Sequence, residues 1–543
     1  MKICKSSLLF FLVLLISCEG HIFHEEDYEY ISTFDEDEVI ALVNGVYNNL
    51  REVHNSDYFK AMSRADDINV YQRNNQNICR IRTYDESENP FADVLDNIYL
   101  NIYKAVANIN TLFLVLKEPH DKNVLGELYF LRAYCYFKLA RLFGTPPLVS
   151  DIDVKFLIEK PTYKEVYEFI EKDMLKALEL LPETYTDARI PGETPHKGTA
   201  KAMLAEIYLA MAGYPVNDIS KYAEAARLAG EVINQAEYYN YGLLDDMADL
   251  WKNTNRHNKE NIFGLFYFCN ECDVFVSMSS STDLENWKRK LSNVNKINNI
   301  DFDKTFIRGY LDGYNPGAKF FLDFPNQYRK RISFVTGKYI ESNLETFNGT
   351  EKVILFYPVD PNRDYCNFIE CCMSKKWNDL KYWDIIFDEW AKTRDRNDRE
   401  SYWELKNLFN TVTLYLFRYA HTLLTYAEAK IRAGELDETC FEAVNMIRRR
   451  ANKLDIYTPS QFDLHPDLSP EQFLDSLVWE RAWELCTEPE GRWFDIIRLD
   501  LRSELSEYTA PFDKYATFKN EQLTEDWYFF QIPIEDRWIN PNY

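Results

Sequence analysis

Hydrophobic side chains recur every three or four positions along most of this chain, a spacing typical of one face of an α-helix. Gly144, followed by Pro146 and Pro147, ends the first clear stripe, and Gly213 ends a second. The stripes are Val124, Leu128, Leu131, Cys135, Leu139 and Leu142; Ala200, Leu204, Ile207 and Met211; and residues 222–236, 420–431 and 443–451. This pattern predicts a mostly α fold.

Several stripes come in pairs joined by a short turn, 200–211 with 222–236 and 420–431 with 443–451. Alanine at many contact positions allows the two helices of each pair to approach closely. Such hairpins are similar to tetratricopeptide repeats, whose period is about 34 residues. No consensus repeat is clean, so we expect degenerate tetratricopeptide-like hairpins, not a regular solenoid.

The helical spacing breaks down between about Asn240 and Asn410, where aromatic residues, Asn, Asp, Gly and Pro are crowded together. Long irregular stretches inside a compact protein are usually functional loops. We therefore expect an N-terminal helical part at 39–240, a loop-rich ligand-surface part at 241–410 and a C-terminal helical part at 411–543.

The start of the chain predicts export. A positive end and a short apolar run at 8–16 are typical of a secretory signal, and the run is too short to cross ~30 Å of hydrocarbon. Leu15-Ile16-Ser17-Cys18 resembles a bacterial lipobox, which predicts a signal peptide at 1–17 and acylation of Cys18. The alternative is cleavage elsewhere, with Cys18 incidental. Acidic residues at 18–38 predict an extended tether, and beyond Cys18 no segment approaches 18 uncharged apolar residues.

Charge and aromatic content narrow the class of ligand. The formal net charge of −25 repels phosphate backbones and argues against a nucleic-acid binder. Aromatic residues make up 15% of the chain, more than a core requires, so many must lie at surfaces or in clefts.

The cysteines do not predict a metal site. Cys4 leaves with the signal and Cys18 would carry lipid, which leaves nine of eleven. Two close groups remain, Cys269 with Cys272, and Cys366 with Cys371 and Cys372. A structural zinc site needs four ligands, and in an exported protein disulfides or buried thiols are commoner. We predict neither a metal nor a cofactor.

One charged group could suggest chemistry. Glu480, Arg481, Glu484, Arg492 and Asp495 could be interpreted as an acid–base cluster. Glycosidases, however, need two carboxylates facing each other across a cleft, one of them with a raised pKa. Arginines between the carboxylates would lower their pKa. We therefore predict structural ion pairs and no catalytic residue.

Sugar recognition needs flat aromatic rings beside planar hydrogen-bonding groups, because sugar rings present apolar faces and hydroxyls. The predicted ligand-binding residues are Asp67, Asn69, Tyr71 and Arg73 after the first helix, and Trp287, Arg308, Tyr310, Tyr314 and Asn315 in the insert. Asp66, Trp377, Tyr382 and Trp383 are further candidates. The alternative for each aromatic residue is that it only covers the helical core.

Several blocks of sequence, in order, resemble the SusD/RagB family of outer-membrane nutrient-binding lipoproteins. The blocks are Ala41–Tyr47, Arg132–Phe137 with Gly144–Val149, Gly198–Leu209, Arg418–Ala429, Glu480–Leu485 with Gly491–Arg498, Ile532–Ile534 and Asn540–Asn542. One departure is Cys486-Thr-Glu-Pro-Glu490, where the family more often has Ala-Phe-Glu before the glycine; we expect it to affect only a helix end.

The resemblance implies a tetratricopeptide-like helical body with a loop-rich ligand surface. It also implies a partner, a SusC-like TonB-dependent barrel transporter, and ligands that are usually oligosaccharides and sometimes glycopeptides or peptides. The acidic residues after Cys18 resemble surface-export signals of Bacteroidota lipoproteins, which implies exposure on the cell surface through a lipid anchor in the outer membrane.

The sequence thus predicts a non-catalytic cell-surface lipoprotein that binds oligosaccharides and delivers them to the transporter. Two alternatives remain. One is a surface-anchored glycoside hydrolase, and the other is a structural lid of the transporter that touches no ligand.

Overall fold

The structure is a computed structural model of the full chain. It describes residues 36–54, 58, 61–62, 65–67, 69–70, 92–116, 121–150, 157–185, 190, 192–252, 255–266, 314–315, 318–325, 327–335, 339–340, 343–344, 346–347, 351–352, 373–374, 413–504, 528–533, 536–537, 540 and 542.

Long helices form the first half of the described chain. They are α1 (Glu36–Val53), α2 (Ala92–Val115), α3 (Lys122–Phe143), α4 (Tyr163–Leu180), α5 (Lys197–Ala212), α6 (Lys221–Asn234) and the short α7 (Ala236–Tyr239). Each of α1 to α6 packs on the next along the chain, so the helices form a continuous stack. The predicted stripes at 124–142, 200–211 and 222–236 lie on α3, α5 and α6 with α7, which confirms the helical prediction.

Local sequence signals place the helix ends. The Thr162 hydroxyl accepts a hydrogen bond from the Glu165 backbone N–H, and the Glu165 carboxylate accepts one from the Thr162 N–H. This capping box satisfies donors that the first turn of α4 leaves open. Gly144 ends α3 with φ +75°, which a residue with a side chain rarely adopts.

Helix α1 begins at Glu36, inside the segment predicted as tether. Acidic residues in the first turn are favourable because the N-terminal end of a helix carries partial positive charge. The last acidic residues of the predicted tether therefore start the helical body, and residues 18–35 lie outside the described residues.

Helix α2 contains a segment, Leu95–Val115, that is long and apolar enough to cross a membrane. Ile98, Ile102 and Ile109 lie on one face and are buried between α1 and α3. We therefore assign α2 to the protein core.

Helix α3 is the centre of this half. All of its residues from Leu125 to Phe143 except Tyr129 are buried, so all its faces are covered, not only the predicted stripe. Its buried charges are paired, as expected for charges removed from water. Arg132, for example, donates two hydrogen bonds to Asp173 of α4, at 2.6 and 2.9 Å.

The C-terminal half continues the same stack. It contains α10 (Tyr419–Arg432), α11 (Glu438–Ala451), α12 (Pro470–Glu484) and α13 (Arg492–Arg498). Helix α10 packs on α6 as well as on α11, which confirms the predicted pairing of 420–431 with 443–451 and joins the two halves.

Two strands close the base of the insert. Strand β2 (Asn261–Phe266) pairs with β10 (Thr413–Arg418) in antiparallel register, for example Leu265 with Leu414. All residues of both strands are buried. The chain thus leaves the helical stack and returns to it at one place, although the exit and the return are far apart in sequence.

The described parts of the insert are short. They include β3 (Tyr314–Asn315), α8 (Ala318–Asp323), α9 (Gln327–Ser333), β4 (Phe334–Val335) and β9 (Met373–Ser374). The pairs β5 (Tyr339–Ile340) with β6 (Asn343–Leu344) and β7 (Thr346–Phe347) with β8 (Glu351–Lys352) are antiparallel, with two residues in each strand. Strand β1 (Asn69–Val70) lies between α1 and α2 along the chain.

Candidate ligand surface

The structure joins two of the segments that were predicted to bind ligand. Strands β1 and β3 pair in antiparallel register, Asn69 with Asn315 and Val70 with Tyr314. Strand β3 also lies beside β9, which in turn pairs with β4 through Phe334 with Ser374 and Val335 with Met373. We call these four short strands, β1, β3, β4 and β9, the strand cluster.

The segment before β1 is anchored in the interior. The Asp66 carboxylate accepts hydrogen bonds from Arg492 Nε at 2.8 Å and from Arg492 Nη2 at 3.0 Å. Asp67 Oδ2 accepts one from the backbone N–H of Thr487 at 2.7 Å. Residues 65–67 are therefore fixed against the chain that follows helix α12.

Asp67 was predicted as a ligand contact, but its carboxyl is covered. The residue is 2% exposed, and its Oδ1 atom has no hydrogen-bond partner among the residues that the structure describes. Burial and the neighbouring charge of Asp66 raise the pKa of Asp67 to about 7. The described residues before it, Tyr58, Ala61, Met62 and Ala65, are buried as well, so this part of the segment belongs to the interior. Ligand contact by Asp67 stays a prediction, while its contacts in the structure are with the protein.

The segment Leu485–Gly491, which we call loop 485–491, is held from several directions. Glu488 accepts two hydrogen bonds from Arg418, at 2.8 and 2.9 Å. Glu490 forms ion pairs with Lys138 and Arg141 of α3. This is the segment where the sequence departs from the family pattern, and its two glutamates connect the C-terminal helices to both the strand β10 and the helix α3.

Helix α9, close to the strand cluster along the chain, is anchored on helix α12. Arg329 of α9 is fully buried and contacts Glu480 at 2.6 Å and Glu484 at 3.0 Å. The rings of Phe324 and Trp483 lie nearby, with centroids 6.4 Å apart. Strand β4 follows α9 directly, so this anchor is continuous with the strand cluster.

The carboxylates considered for catalysis are ion-paired, as predicted. Glu484 contacts Arg418 at 3.1 Å and Arg450 at 2.7 Å in addition to Arg329. The group comprises the buried cations Arg329, Arg418 and Arg450, the partly exposed Arg448, and the buried carboxylates Glu260, Glu480, Glu484 and Glu488. The formal charges of this group, four positive and four negative, balance, which keeps the burial of so many charges tolerable.

A second group forms around helix α13. Arg481 contacts Asp495 at 2.9 Å and Glu206 of α5 at 2.7 Å, and Arg498 contacts Glu428 at 2.6 Å. Despite burial, the charge and hydrogen bonds of Arg498 lower the pKa of Glu428 to about 2. Likewise, although burial opposes it, Arg141 and Lys138 hold the pKa of Glu490 well below its usual range. Carboxylates held ionised in this way are poor proton donors at neutral pH.

The structure describes only some of the remaining predicted positions. Asn69, Tyr314 and Asn315 lie in the β1–β3 pair. Positions outside the described residues are Cys18, Tyr71, Arg73, Trp287, Arg308, Tyr310, Trp377, Tyr382, Trp383 and the cysteines at 269, 272, 366, 371 and 372. Cys135, Cys440 and Cys486 are buried thiols. In the part of the chain that the structure describes, no three His, Cys, Asp or Glu side chains are grouped to hold a metal ion.

Sequence reasoning missed Arg329, Glu260 and Glu490. The short basic run Arg329-Lys330-Arg331 in an acidic chain is a signal for the first, but it does not say which carboxylates the arginine meets. No local signal marks Glu260 or Glu490, since their partners come from distant helices.

Comparisons with known proteins agree with this architecture. A family model described as starch-binding associating with outer membrane matches residues 24–209, and the SusD family model matches residues 389–543. A SusD-like protein of Formosa agariphila is 29% identical over 70% of this chain and 66% of its own length. A SusD-like protein of Bacteroides ovatus is 23% identical over 70% of this chain. The chain spans 66% and 60%, respectively, of the lengths of these two relatives.

Solved structures match over almost the whole chain. A SusD homologue from Bacteroides thetaiotaomicron covers 96% of this chain and 98% of its own, with a TM-score of 0.66 and 20% identity. A structure described as a laminarin-binding SusD-like protein covers 94% of this chain and 98% of its own, with a TM-score of 0.63 and 19% identity.

The fold defines a class, that of helical-hairpin proteins in which a loop-rich part is inserted between two halves of one helical stack. The matched segments lie in both halves and identify the family. The chain belongs to the SusD/RagB family, whose members are typically carbohydrate-binding proteins associated with the outer membrane.

Proposed function

We propose that this chain is a non-catalytic lipoprotein of the cell surface that binds oligosaccharides and delivers them to a SusC-like TonB-dependent transporter. The observation that carries the proposal is the β1–β3 pair, which joins two predicted ligand-binding segments within a SusD/RagB fold. The laminarin-binding structural neighbour supports a glycan as the ligand.

The electrostatics of the described core favour binding over hydrolysis. A hydrolase of the usual type needs one carboxyl group that keeps its proton near neutral pH. Asp67 has a pKa raised to about 7, but its carboxyl is 2% exposed and accepts a hydrogen bond from the Thr487 N–H, so it faces the protein. Glu428 and Glu490 are held ionised by neighbouring cations. The carboxylates at 480, 484 and 488 contact two or three arginine nitrogens each.

Affinity electrophoresis of the purified protein tests the proposal, with laminarin and starch as the first polysaccharides in a wider panel. We expect slower migration in at least one gel and no new reducing ends after long incubation. Released oligosaccharide would show a hydrolase, and unaltered migration with every member of the panel would contradict glycan binding.

Aromatic substitutions test the ligand surface. Trp287→Ala and Tyr314→Ala should each weaken binding at least fivefold, about 1 kcal/mol, because a ring stacked on a sugar is lost. Tyr457→Ala is the matched control, since Tyr457 is 67% exposed and lies between α11 and α12. Unchanged binding in both test variants would favour a structural lid with no ligand contact at this surface.

Delivery to a transporter predicts a physical complex. We expect a large β-barrel protein to copurify with this chain from detergent-solubilised outer membranes, and a barrel transporter to be encoded beside it. Glycan binding without such a partner would restrict the function to capture alone.

A further inference from the structure

The strand cluster cannot hold its own geometry. Each of its pairs has only two residues per strand, and isolated pairs of this length are not stable in water. The relative position of β1 and β3 must therefore come from contacts elsewhere in the protein.

Both strands are connected to one support, which we define as helix α12, loop 485–491 and Arg492. On the side of β1, Asp66 binds Arg492 and Asp67 binds the Thr487 N–H, as described above. Asn69 follows Asp67 by two residues, a reach of at most about 7 Å. The anchor of this segment is therefore close enough to fix where β1 begins.

On the side of β3, the Tyr328 hydroxyl of α9 donates a hydrogen bond to Asp246, and Arg329 connects the same helix to the support. Arg329 contacts Glu480 and Glu484 of α12, and β4, which begins just after α9, pairs with β9 beside β3. The two predicted ligand segments, far apart in sequence, are thus connected to the same support, one through Asp66 and Asp67 and the other through Arg329.

We propose that Asp66 and Arg329 are positioning residues for ligand capture. Asp66 holds β1, and Arg329 holds β3 through β4 and β9, so that both strands present the ligand surface in one fixed arrangement. This inference rests on the proposed function for its effect on affinity, but its structural part can be measured without any ligand.

Asp66 and Arg329 need different substitutions, because removing either side chain must not leave a buried charge without a partner. Glu480 keeps Arg448 at 2.9 Å and Glu484 keeps Arg418 and Arg450 when Arg329 is lost, so no carboxylate is left without a cation. Arg329→Met should therefore fold. Arg448→Met is the matched control, because it removes a cation from the same Glu480 but belongs to α11, which packs on α10 and α12.

For the first anchor, Asp66→Asn removes the charge and keeps the shape. Its matched control is Asp173→Asn, which weakens a buried ion pair of the same type with Arg132, between α3 and α4. Asp66→Glu keeps the carboxylate and serves as the conservative variant, which should recover part of any loss.

Hydrogen–deuterium exchange of the full mature chain is the ligand-independent measurement. We expect Asp66→Asn and Arg329→Met to raise exchange at least fivefold in peptides containing 69–70 and 314–315, in each case in both peptides, because the strands pair. The two control variants should leave these peptides within twofold of the wild type. Equal exchange in test and control variants would overturn the positioning role.

Affinity for laminarin, or for the polysaccharide of the panel that the wild type binds, is the second measurement. We expect Asp66→Asn and Arg329→Met to weaken binding at least tenfold at a temperature where all variants are folded. Asp66→Glu should weaken binding by less than Asp66→Asn does. The controls should stay within twofold. Raised exchange with unchanged affinity would overturn positioning for capture, whereas a wild type that binds no polysaccharide refutes the proposed function and leaves the exchange result to decide the anchoring.

Discussion

Glu490 shows how a single residue connects distant parts of this chain. Its carboxylate meets Lys138 and Arg141, and it accepts a hydrogen bond from the Tyr134 hydroxyl at 2.8 Å. All of these partners belong to α3, whereas Glu490 lies in the loop between α12 and α13. The sequence predicted only an altered helix end at this place, because a local pattern does not reveal the partners of a buried charge.

Asp67 provides a prediction about pH. Its pKa is raised from 3.8 to about 7 by burial and by Asp66, so between these values the folded protein holds a proton that the unfolded chain has released. Stability from this group is therefore lost as the pH rises through that window. The full effect is roughly 4 kcal/mol, at about 1.4 kcal/mol for each pKa unit.

Asp67→Asn should remove this loss, since an amide does not ionise. We expect the free energy of unfolding of the variant, relative to wild type, to increase between pH 5 and pH 7 and to level off above pH 7, as measured by urea unfolding. Asp475→Asn, an exposed position on α12, is the control and should show a flat difference. A flat difference for Asp67→Asn as well would mean that its carboxyl is not buried as described.

At the level of elements, the sequence predicted the helices better than their burial. The stripes at 124–142, 200–211 and 443–451 lie on helices, because hydrophobic spacing and capping residues are local signals. The same spacing did not show that α3 is covered on all sides, since that depends on how many neighbours a helix acquires. Loop 485–491 likewise looks like a simple connection in the sequence, yet both of its glutamates are buried in ion pairs.

Loop 485–491 also leaves no room at its last residue. A Cβ atom added to Gly491 would lie 2.4 Å from the carbonyl oxygen of Leu485, which is backbone and cannot turn aside. Gly491→Ala should destabilise the protein by about 2 kcal/mol or more and lower its Tm. At Gly45, on α1, an added Cβ has nothing within 4 Å. Gly45→Ala should therefore raise stability by roughly 0.5–1 kcal/mol through better helix propensity. Equal effects of the two substitutions in thermal unfolding would contradict the packing of the loop.

At the scale of the whole molecule, the helical stack is continuous in space, although its two halves are separated in sequence by the insert. Helix α6 and helix α10 are neighbours in space, and the β2–β10 pair closes the base of the insert between them. The loop-rich part thus begins and ends at this strand pair, and Arg329 of α9 also ties it to helix α12. This arrangement agrees with the family matches, which fall at 24–209 and 389–543 and leave most of the insert unmatched.

The predicted anchor of the molecule is a single residue, Cys18. If Cys18 is acylated, Cys18→Ser should abolish incorporation of labelled fatty acid and move the protein out of the membrane fraction, because several acyl chains are needed for stable attachment. Cys4→Ser is the control, as Cys4 lies in the predicted signal peptide and should not affect either result. Labelled, membrane-bound protein in the Cys18→Ser variant would place the anchor elsewhere.

The amino-acid sequence alone determined the helical class, the family and the ion-paired state of Glu480, Glu484 and Asp495, because these follow from short-range spacing and from ordered motifs. The tertiary structure decided that β1 meets β3, that Asp67 is covered, and that Arg329 and Glu490 find their partners across the fold. The physical reason is that burial and long-range pairing depend on which distant surfaces the chain brings together, and no local pattern of residues specifies that choice.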